Sequence, residues 1–527
     1  MAAPLSELLP LQQWQLGLLA VLPVMVLSLV FLTTKQSRRG NSTGTKGGAR
    51  LPPGPTQVPV LGNLHQLGPL PHRNLRELAR RHGPVMLLRL GTVPTVVVSS
   101  AEAAREVMKA HDVDCCSRPV SPGPKRLSYD LKNVAFAPYD EYWREMRRLF
   151  IVELLSMRRV KAAWYAREQQ VDKLLCNLRR MGPNPVALNE HIFGLADGII
   201  GTVAFGNIYG TERFAHKQHF QHVLDEAMDM MASFSAEDFF PNAAGRLVDR
   251  LTGLVARRER IFKELDAFFD MVIDQHMDPA RDENSGGGGD LVDVLIDLWK
   301  QHRGTLRFTR DHVKGIILDT FLGGIDTSSV TMLWAMSELI RKPRVLKKVQ
   351  DEIRAIVVGN NKDRVEPDDV PKLAYLKMVV KETLRLHPPA TLLLPRETMR
   401  RVTIGGYDVP EKTRVFVNAW AIGRDPASWT GDAEEFRPDR FEVSDVDFNG
   451  AHFELVPFGA GRRICPGLAM GVTNVEFTLA NLLYCFDWTL PEGMKPEDVS
   501  MEEAGGLTFH RKTPLVLVPT TYQQAVA

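Results

Sequence analysis

The longest apolar run in the chain is residues 16–32, LGLLAVLPVMVLSLVFL, which carries no charged side chain. With Trp14 and Gln15 before it and Thr33 and Thr34 after it, the run approaches the roughly 20 residues that cross a bilayer core as a helix. Pro23 kinks such a helix but is tolerated in lipid. Lys35, Arg38, Arg39, Lys46 and Arg50 follow the run and only Glu7 precedes it, which predicts a cytoplasmic location for everything after residue 35. A cleaved signal peptide has a basic start, and this one has none. The pattern therefore predicts an uncleaved anchor over residues 1–35. A basic linker and hinge over 36–55 follow, ending in Leu51-Pro52-Pro53-Gly54-Pro55, where proline holds the backbone extended.

Beyond residue 56 the apolar spacing is mostly helical. The longest candidate runs over 309–341, with Val313, Ile316, Ile317, Phe321, Leu322 and Ile325 on its apolar positions and Pro343 beyond its end. About 30 helical residues span roughly 45 Å, enough to cross a domain. Short β-like runs appear at 85–90, 96–99, 402–409 and 515–519, and the SGGGG run at 285–289 reads as a flexible loop. No internal repeat is visible.

Length alone, 527 residues, suggests about three domains. The composition, 44% hydrophobic and 24% charged, is that of a globular protein, and the formal charge of +2 lacks the basic surplus of a nucleic-acid binder. The five cysteines, Cys115, Cys116, Cys176, Cys465 and Cys485, include no C-x-x-C pair. Such usage fits a reducing compartment and excludes a disulfide framework or a zinc module. Cys115 and Cys116 read as small side chains in a half-buried segment.

Cys465 has a different setting, within Pro457-Phe458-Gly459-Ala460-Gly461-Arg462-Arg463-Ile464-Cys465-Pro466-Gly467. A glycine-rich loop lets backbone amides approach a sulfur, and a helix opening at Leu468 turns its positive end toward it. Both favour a thiolate, and Arg463 offers a fixed cation to a carboxylate. The plain alternative is an inert buried cysteine at a turn. Gly459-Ala460-Gly461 is no dinucleotide fingerprint, since the third glycine and a βαβ unit are missing.

Four more stretches carry charge or strain. In Lys381-Glu382-Thr383-Leu384-Arg385, Glu382 and Arg385 share a helical face, and His387-Pro388-Pro389 ends that helix. Phe436-Arg437-Pro438-Asp439-Arg440-Phe441 adds another arginine; alone, either stretch reads as surface ion pairs. Trp143 and Arg147 lie one turn apart, so an indole N–H and a guanidinium can grip one anion or simply line an amphipathic helix. Inside the long helix stands Gly323-Gly324-Ile325-Asp326-Thr327-Ser328-Ser329. Each interior glycine costs about 1 kcal/mol relative to alanine, which implies close ligand approach or a local opening. Thr327 either turns its hydroxyl outward to bound oxygen, with Asp326 feeding protons, or bonds back to a carbonyl one turn earlier.

Taken together and in this order, the five motifs resemble the cytochrome P450 family, over the chain from the anchor to about residue 515. The resemblance implies a mainly α fold with a small β region and an N-terminal transmembrane helix, and one catalytic domain over 56–527 in place of three. It implies haem b (iron protoporphyrin IX) with Cys465 as axial thiolate and metal ligand, O2 as co-substrate, and NADPH electrons through NADPH–cytochrome P450 reductase. Trp143, Arg147, Arg396 and Arg463 would bind the haem propionates, and Phe458 and Gly461 of the cysteine loop would also bind the cofactor. Glu382, Arg385 and Arg440 would form a buried triad behind it, and Asp326 and Thr327 would deliver protons. The sequence departs from the family at Asp140, where plant members carry glycine, and at Gly323-Gly324-Ile325, where they carry Ala-Gly-Thr.

Residues 111–119 (HDVDCCSRP), 121–134 and 227–247 resemble plant monooxygenases of cyanogenic glucoside synthesis. That likeness implies conversion of an aromatic aldoxime, 4-hydroxyphenylacetaldehyde oxime, through a nitrile to the cyanohydrin 4-hydroxymandelonitrile. The alternative is hydroxylation of another plant metabolite such as an indole, terpenoid or flavonoid. The pocket is expected at 121–137, 230–240, 323–327, 390–394 and 505–509. The implied location is the endoplasmic reticulum membrane with the catalytic domain in the cytosol, and no nucleic acid is implied; a multi-enzyme pathway complex is compatible. Arg144, Arg148, Arg158, Arg159, Lys161 and Arg462 would meet an acidic reductase surface or form a solvated helix face.

Overall fold

The computed structural model describes residues 50–523 apart from 207–208, 210–216, 279–288, 302–306 and 359–361. The expected anchor and most of the SGGGG run lie outside the described residues. The proline-rich hinge is docked on the sheet at its C-terminal end: the Leu87 N–H donates to Pro53 O at 2.9 Å, and a Cβ on Gly54 would stand 2.0 Å from Leu87 O.

Helices dominate. Those that shape the site are α1 (Glu141–Leu149), α2 (Leu188–Phe205), α3 (Lys217–Ala232), α4 (Arg310–Gly324), α5 (Asp326–Arg341), α6 (Ala374–Leu386) and α7 (Leu468–Cys485). One core packs Met332, Met336 and Leu339 of α5 against Leu376 and Val379 of α6 and Phe477 of α7. A second gathers Phe205, Phe220, Phe268 and Phe321 between α2, α3, α4 and the Leu254–Met277 helix; Phe220 and Phe268 stack at 3.8 Å.

The β content is small, as expected. Strands β1 (Val85–Leu90), β2 (Val93–Val98), β3 (Arg396–Glu397) and β4 (Arg414–Val417) form a sheet in the order β1-β2-β4-β3, with β2 and β4 parallel. The 402–409 run is a hairpin rather than one strand, because Gly405 and Gly406 at φ 59° and 77° turn it back. A second hairpin pairs β5 (Glu503–Gly505) with β6 (Phe509–Arg511).

The apolar run at 309–341 forms α4 and α5, interrupted at Ile325. Among the described residues this stretch of 32 residues is long and apolar enough to cross a membrane, but more than half of its most apolar window is buried in the core. The two glycines at the break have separate duties. A Cβ on Gly324 would stand 2.6 Å from Ile200 Cδ1, so that glycine lets α2 close on the helix. A Cβ on Gly323 would meet nothing within 4 Å, so that glycine keeps the other side open.

The paired charges of the motifs meet in the interior rather than at the surface. Arg385 donates to both Glu382 oxygens at 2.7 and 2.8 Å, Arg440 Nε donates to Glu382 Oε1 at 2.9 Å, and Glu382 and Arg385 are buried. Arg385 also holds Gly423 O and Ala433 O, both at 2.6 Å, which ties α6 to the chain leading to the cysteine loop. Glu382→Gln, which strands two buried guanidiniums, is expected to cost about 3–5 kcal/mol, measured by denaturant unfolding of the protein. Gly324→Ala is expected to lower stability by about 1–3 kcal/mol through overpacking, and Gly323→Ala to lower it not at all, in the same assay.

Candidate active site

Cys465 sits at the end of a loop that only glycine can build. Gly459 and Gly461 have φ of 69° and 68°, and a Cβ on Gly461 would lie 2.3 Å from Met108 O and 2.6 Å from Asp112 Oδ1. The loop closes when the Cys465 N–H donates to Phe458 O at 2.9 Å, and α7 opens three residues later with Gly467 as its cap. Burial pushes the Cys465 thiol up, while the Gly467 amide and the Arg147 guanidinium pull it back toward the thiolate. A bound metal cation would complete that shift.

Arginines converge beside the loop. Arg147 Nη2 donates to Ile464 O at 2.5 Å, and Arg396 donates to Ala460 O at 2.9 Å and to Asp112 at 3.4 Å. Arg463 donates to Cys116 O, Val134 O and Ala137 O at 2.8, 3.2 and 2.6 Å. Arg118, which the sequence reading did not single out, donates to Ala135 O, Leu394 O and Pro395 O at 3.1, 2.7 and 2.8 Å. Arg118, Arg396 and Arg463 are buried and Arg147 is half-buried. Burial lowers all four; repulsion from neighbouring arginines lowers Arg118, Arg147 and Arg463 further, Arg463 to about 9, whereas Asp112 pulls Arg396 back up.

Among the described residues, the one carboxylate hydrogen-bonded to this group is Asp112, and Arg462 shares it at 2.8 Å. Four guanidiniums with one such carboxylate leave a buried cationic surplus, which is costly without an anion. A ligand with two carboxylates beside a sulfur-bound metal matches that donor set, so the residues present fit haem.

Trp143 and Arg147 do not share an anion here. Trp143 Nε1 donates to Val134 O at 3.0 Å, and Trp143 lies against Arg463, whose guanidinium carbon is 4.0 Å from the ring centroid. Asp140, the departure from the family's glycine, caps α1: its Oδ1 accepts the Trp143 N–H at 2.8 Å, which seats that indole. The carbonyl-bearing loop 133–137 is itself pinned to α4. Asp319 accepts from Asn133 Nδ2, Val134 N–H and Ala135 N–H at 2.7, 2.7 and 3.1 Å, and burial moves its carboxyl up to about 6 despite these bonds.

Across from the loop, α5 packs on α7, and a Cβ on Gly471 would stand 3.9 Å from Ser328 Oγ. This brings the Gly323–Thr327 opening toward the Cys465 side. Of the two arrangements open to Thr327, the structure shows the back-bonded one, with Oγ1 donating to Gly323 O at 2.7 Å. Its oxygen remains an acceptor. Asp326 accepts from Thr508 Oγ1 at 3.3 Å, and burial pushes its carboxyl up. Phe458 carries the loop-closing carbonyl and packs edge-on against Phe448 at 5.4 Å.

Sequence spacing missed Arg118 and Asp112, and reached Thr508 only as part of the expected pocket stretch 505–509. Arg118 and Asp112 lie in the quoted HDVDCCSRP stretch, and a charge-bearing loop beside two buried cysteines was the available signal. Thr508 gave none of its own. A polar cavity of about 300 Å³ elsewhere is lined by Glu338, Arg341, Lys342, Glu434, Glu435 and Phe436 among others, and shares no residue with this site.

A family profile described as cytochrome P450 matches residues 52–518. The chain is 73% identical over 514 residues to 4-hydroxyphenylacetaldehyde oxime monooxygenase of Sorghum bicolor, covering 97% of this chain and 96% of that one. It is 51% identical to 2-methylbutanal oxime monooxygenase of Manihot esculenta, covering 97% and 98%. In fold it is similar to a zebrafish cytochrome P450 solved with progesterone, with TM-score 0.74 and 24% identity over 85% of this chain and 99% of that one. The chain belongs to the cytochrome P450 family and is, on that footing, a haem-thiolate monooxygenase.

Proposed function

We propose that this protein converts an aromatic aldoxime, 4-hydroxyphenylacetaldehyde oxime, through the nitrile to the cyanohydrin 4-hydroxymandelonitrile. The observation that carries the substrate is the 73% identity to the Sorghum bicolor enzyme of that name across nearly the whole of both chains. The first conversion loses one water, from the C–H hydrogen and the N–OH group. The second consumes O2, NADPH and a proton, places one oxygen atom on the carbon beside the nitrile, and releases water and NADP+.

Haem, when bound, supplies the redox chemistry that activates O2 with electrons from the reductase. The chain's own residues hold that group and manage protons. Cys465 would give the sulfur ligand, and Arg147, Arg396, Arg463 and Arg118 would pair with the propionates, with Trp143 beside them. Gly323 leaves the helix wall open for a flat ligand. Thr327, its proton given to Gly323 O, would accept a hydrogen bond on its oxygen, and Asp326 would carry protons to it from solvent. The segments at 121–137, 230–240, 390–394 and 505–509 would close around the aromatic ring.

The anchor over 1–35 would tie the domain to the endoplasmic reticulum membrane. Support comes from exposed Phe234, Leu247 and Leu251 on and before the Ala243–Leu251 helix. Nearby, Phe239 O accepts the Thr92 N–H at 2.8 Å, and the Gly91 N–H donates to Leu61 O at 3.1 Å, beside the hinge. An electron donor would approach the basic surface where Arg144, Arg158 and Lys161 are exposed, Arg148 is paired to Glu145 and Arg462 to Asp112.

Purified holoenzyme with reductase, NADPH and the tyrosine-derived oxime is expected to yield nitrile and cyanohydrin, identified by mass spectrometry. Products from indoles or flavonoids but from no aromatic oxime would overturn the substrate. Cys465→Ser is expected to abolish turnover and the thiolate-type Soret band of the reduced, carbon-monoxide-treated protein.

A further inference from the structure

Asp326 is held from outside its own helix. The hairpin of β5 and β6 turns at residues 506–508, and Gly505, at φ 143°, admits no side chain because a Cβ there would stand 2.0 Å from Thr508 O. The Gly506 N–H donates to Thr508 O at 3.1 Å, which tightens the turn. The next residue is fastened twice: the Phe509 N–H donates to Pro389 O at 3.0 Å, and Phe509 O accepts from Trp334 Nε1 of α5 at 3.4 Å. On its other side the turn meets the last residue of α3, where a Cβ on Gly506 would lie 2.4 Å from Ala232 Cβ. The buried Thr508 hydroxyl is thereby wedged between two helices and aimed at Asp326 Oδ2, 3.3 Å away.

We infer that Thr508 is a positioning residue for proton delivery, its hydroxyl orienting the Asp326 carboxylate at the helix opening beside Thr327. The inference rests on the reading of Asp326 as the proton carrier and adds what sets its orientation and readiness. The same turn belongs to the stretch proposed to close around the substrate, so the hairpin would serve substrate contact and proton supply at once.

The charged groups around Asp326 fix the direction of the effect. His510 of β6 favours its ionised form, as does the Thr508 bond, whereas burial and Asp229 of α3 oppose it. Asp225, also on α3 with His222 near it, is pushed up to about 6 by burial and then by Asp326. A hydroxyl that donates to a carboxylate stabilises its charged state, so removing the hydroxyl raises the carboxyl's pKa.

The test uses haem-loaded full-length protein with reductase, in Thr508→Val, Thr508→Ala, Thr508→Ser, Asp326→Asn and Thr508→Val/Asp326→Asn forms, each checked for its carbon-monoxide Soret band. Thr508→Val and Thr508→Ala are expected to lower product formed per NADPH consumed several-fold, with hydrogen peroxide in its place. Thr508→Ser is expected to restore coupling, and the double variant to be no worse than Asp326→Asn. In resting protein, the Asp326 carboxyl titration, read by infrared difference spectra against Asp326→Asn, is expected to move to higher pH in Thr508→Val. If both Thr508 variants keep wild-type coupling and titration while Asp326→Asn loses coupling, the inference fails and the proton-carrier reading stands. A rise in KM with coupling unchanged would also overturn it, as Thr508 would then be a substrate contact only. Wild-type coupling in Asp326→Asn would instead sink the proton-carrier reading itself.

Discussion

Positive charge without enough negative charge to meet it is the constraint around which the catalytic half of this protein is built. Arg118, Arg147, Arg396 and Arg463 crowd beside the Cys465 loop, and their hydrogen bonds go largely to backbone carbonyls. Carbonyl dipoles soften such a concentration of charge but do not neutralise it. The fold therefore carries a standing demand for an anionic partner, and it holds that demand in place through loops drawn from distant parts of the sequence: 116–118, 134–137, 394–396 and 460–464. A cofactor that brings two carboxylates and a metal answers the arginines and the buried thiol together.

Behind that region the Glu382–Arg385–Arg440 group works on the opposite principle. Here one carboxylate is fully shared by two guanidiniums, and the remaining donors end on carbonyls of the chain that leads to the cysteine loop. A closed network of this kind fixes geometry without inviting a ligand. The protein thus holds its loop from one side by satisfied charge and leaves the other side unsatisfied.

The sequence made the chemistry-bearing motifs legible because each is local: glycines that admit only one loop, an arginine three residues from a glutamate, a tryptophan one turn from an arginine. The apolar run at 309–341 was equally plain, since burial on every side needs no partner to be recognised. What spacing could not reveal depends on contacts between separate segments of the chain. The paired glycines announce the opening at Ile325, but spacing does not show that α2 closes on Gly324, nor that the Trp143 indole bonds Val134 O in a loop that Asp319 pins. Asp140, where the sequence departs from the family's glycine, proves to be a helix cap. Thr508 has no local signature at all; a single hydroxyl acquires meaning only from the helix it faces.

The loop at 133–137 faces two ways, offering carbonyls to Trp143, Arg118 and Arg463 while its amides are tied to Asp319. The preceding stretch, 121–132, carries no such obligation to the arginines. Divergence toward new small molecules can therefore draw freely on the earlier part of this segment, whereas the later part is bound by its service to the arginines. Within one short loop, adaptability and inheritance occupy adjoining residues.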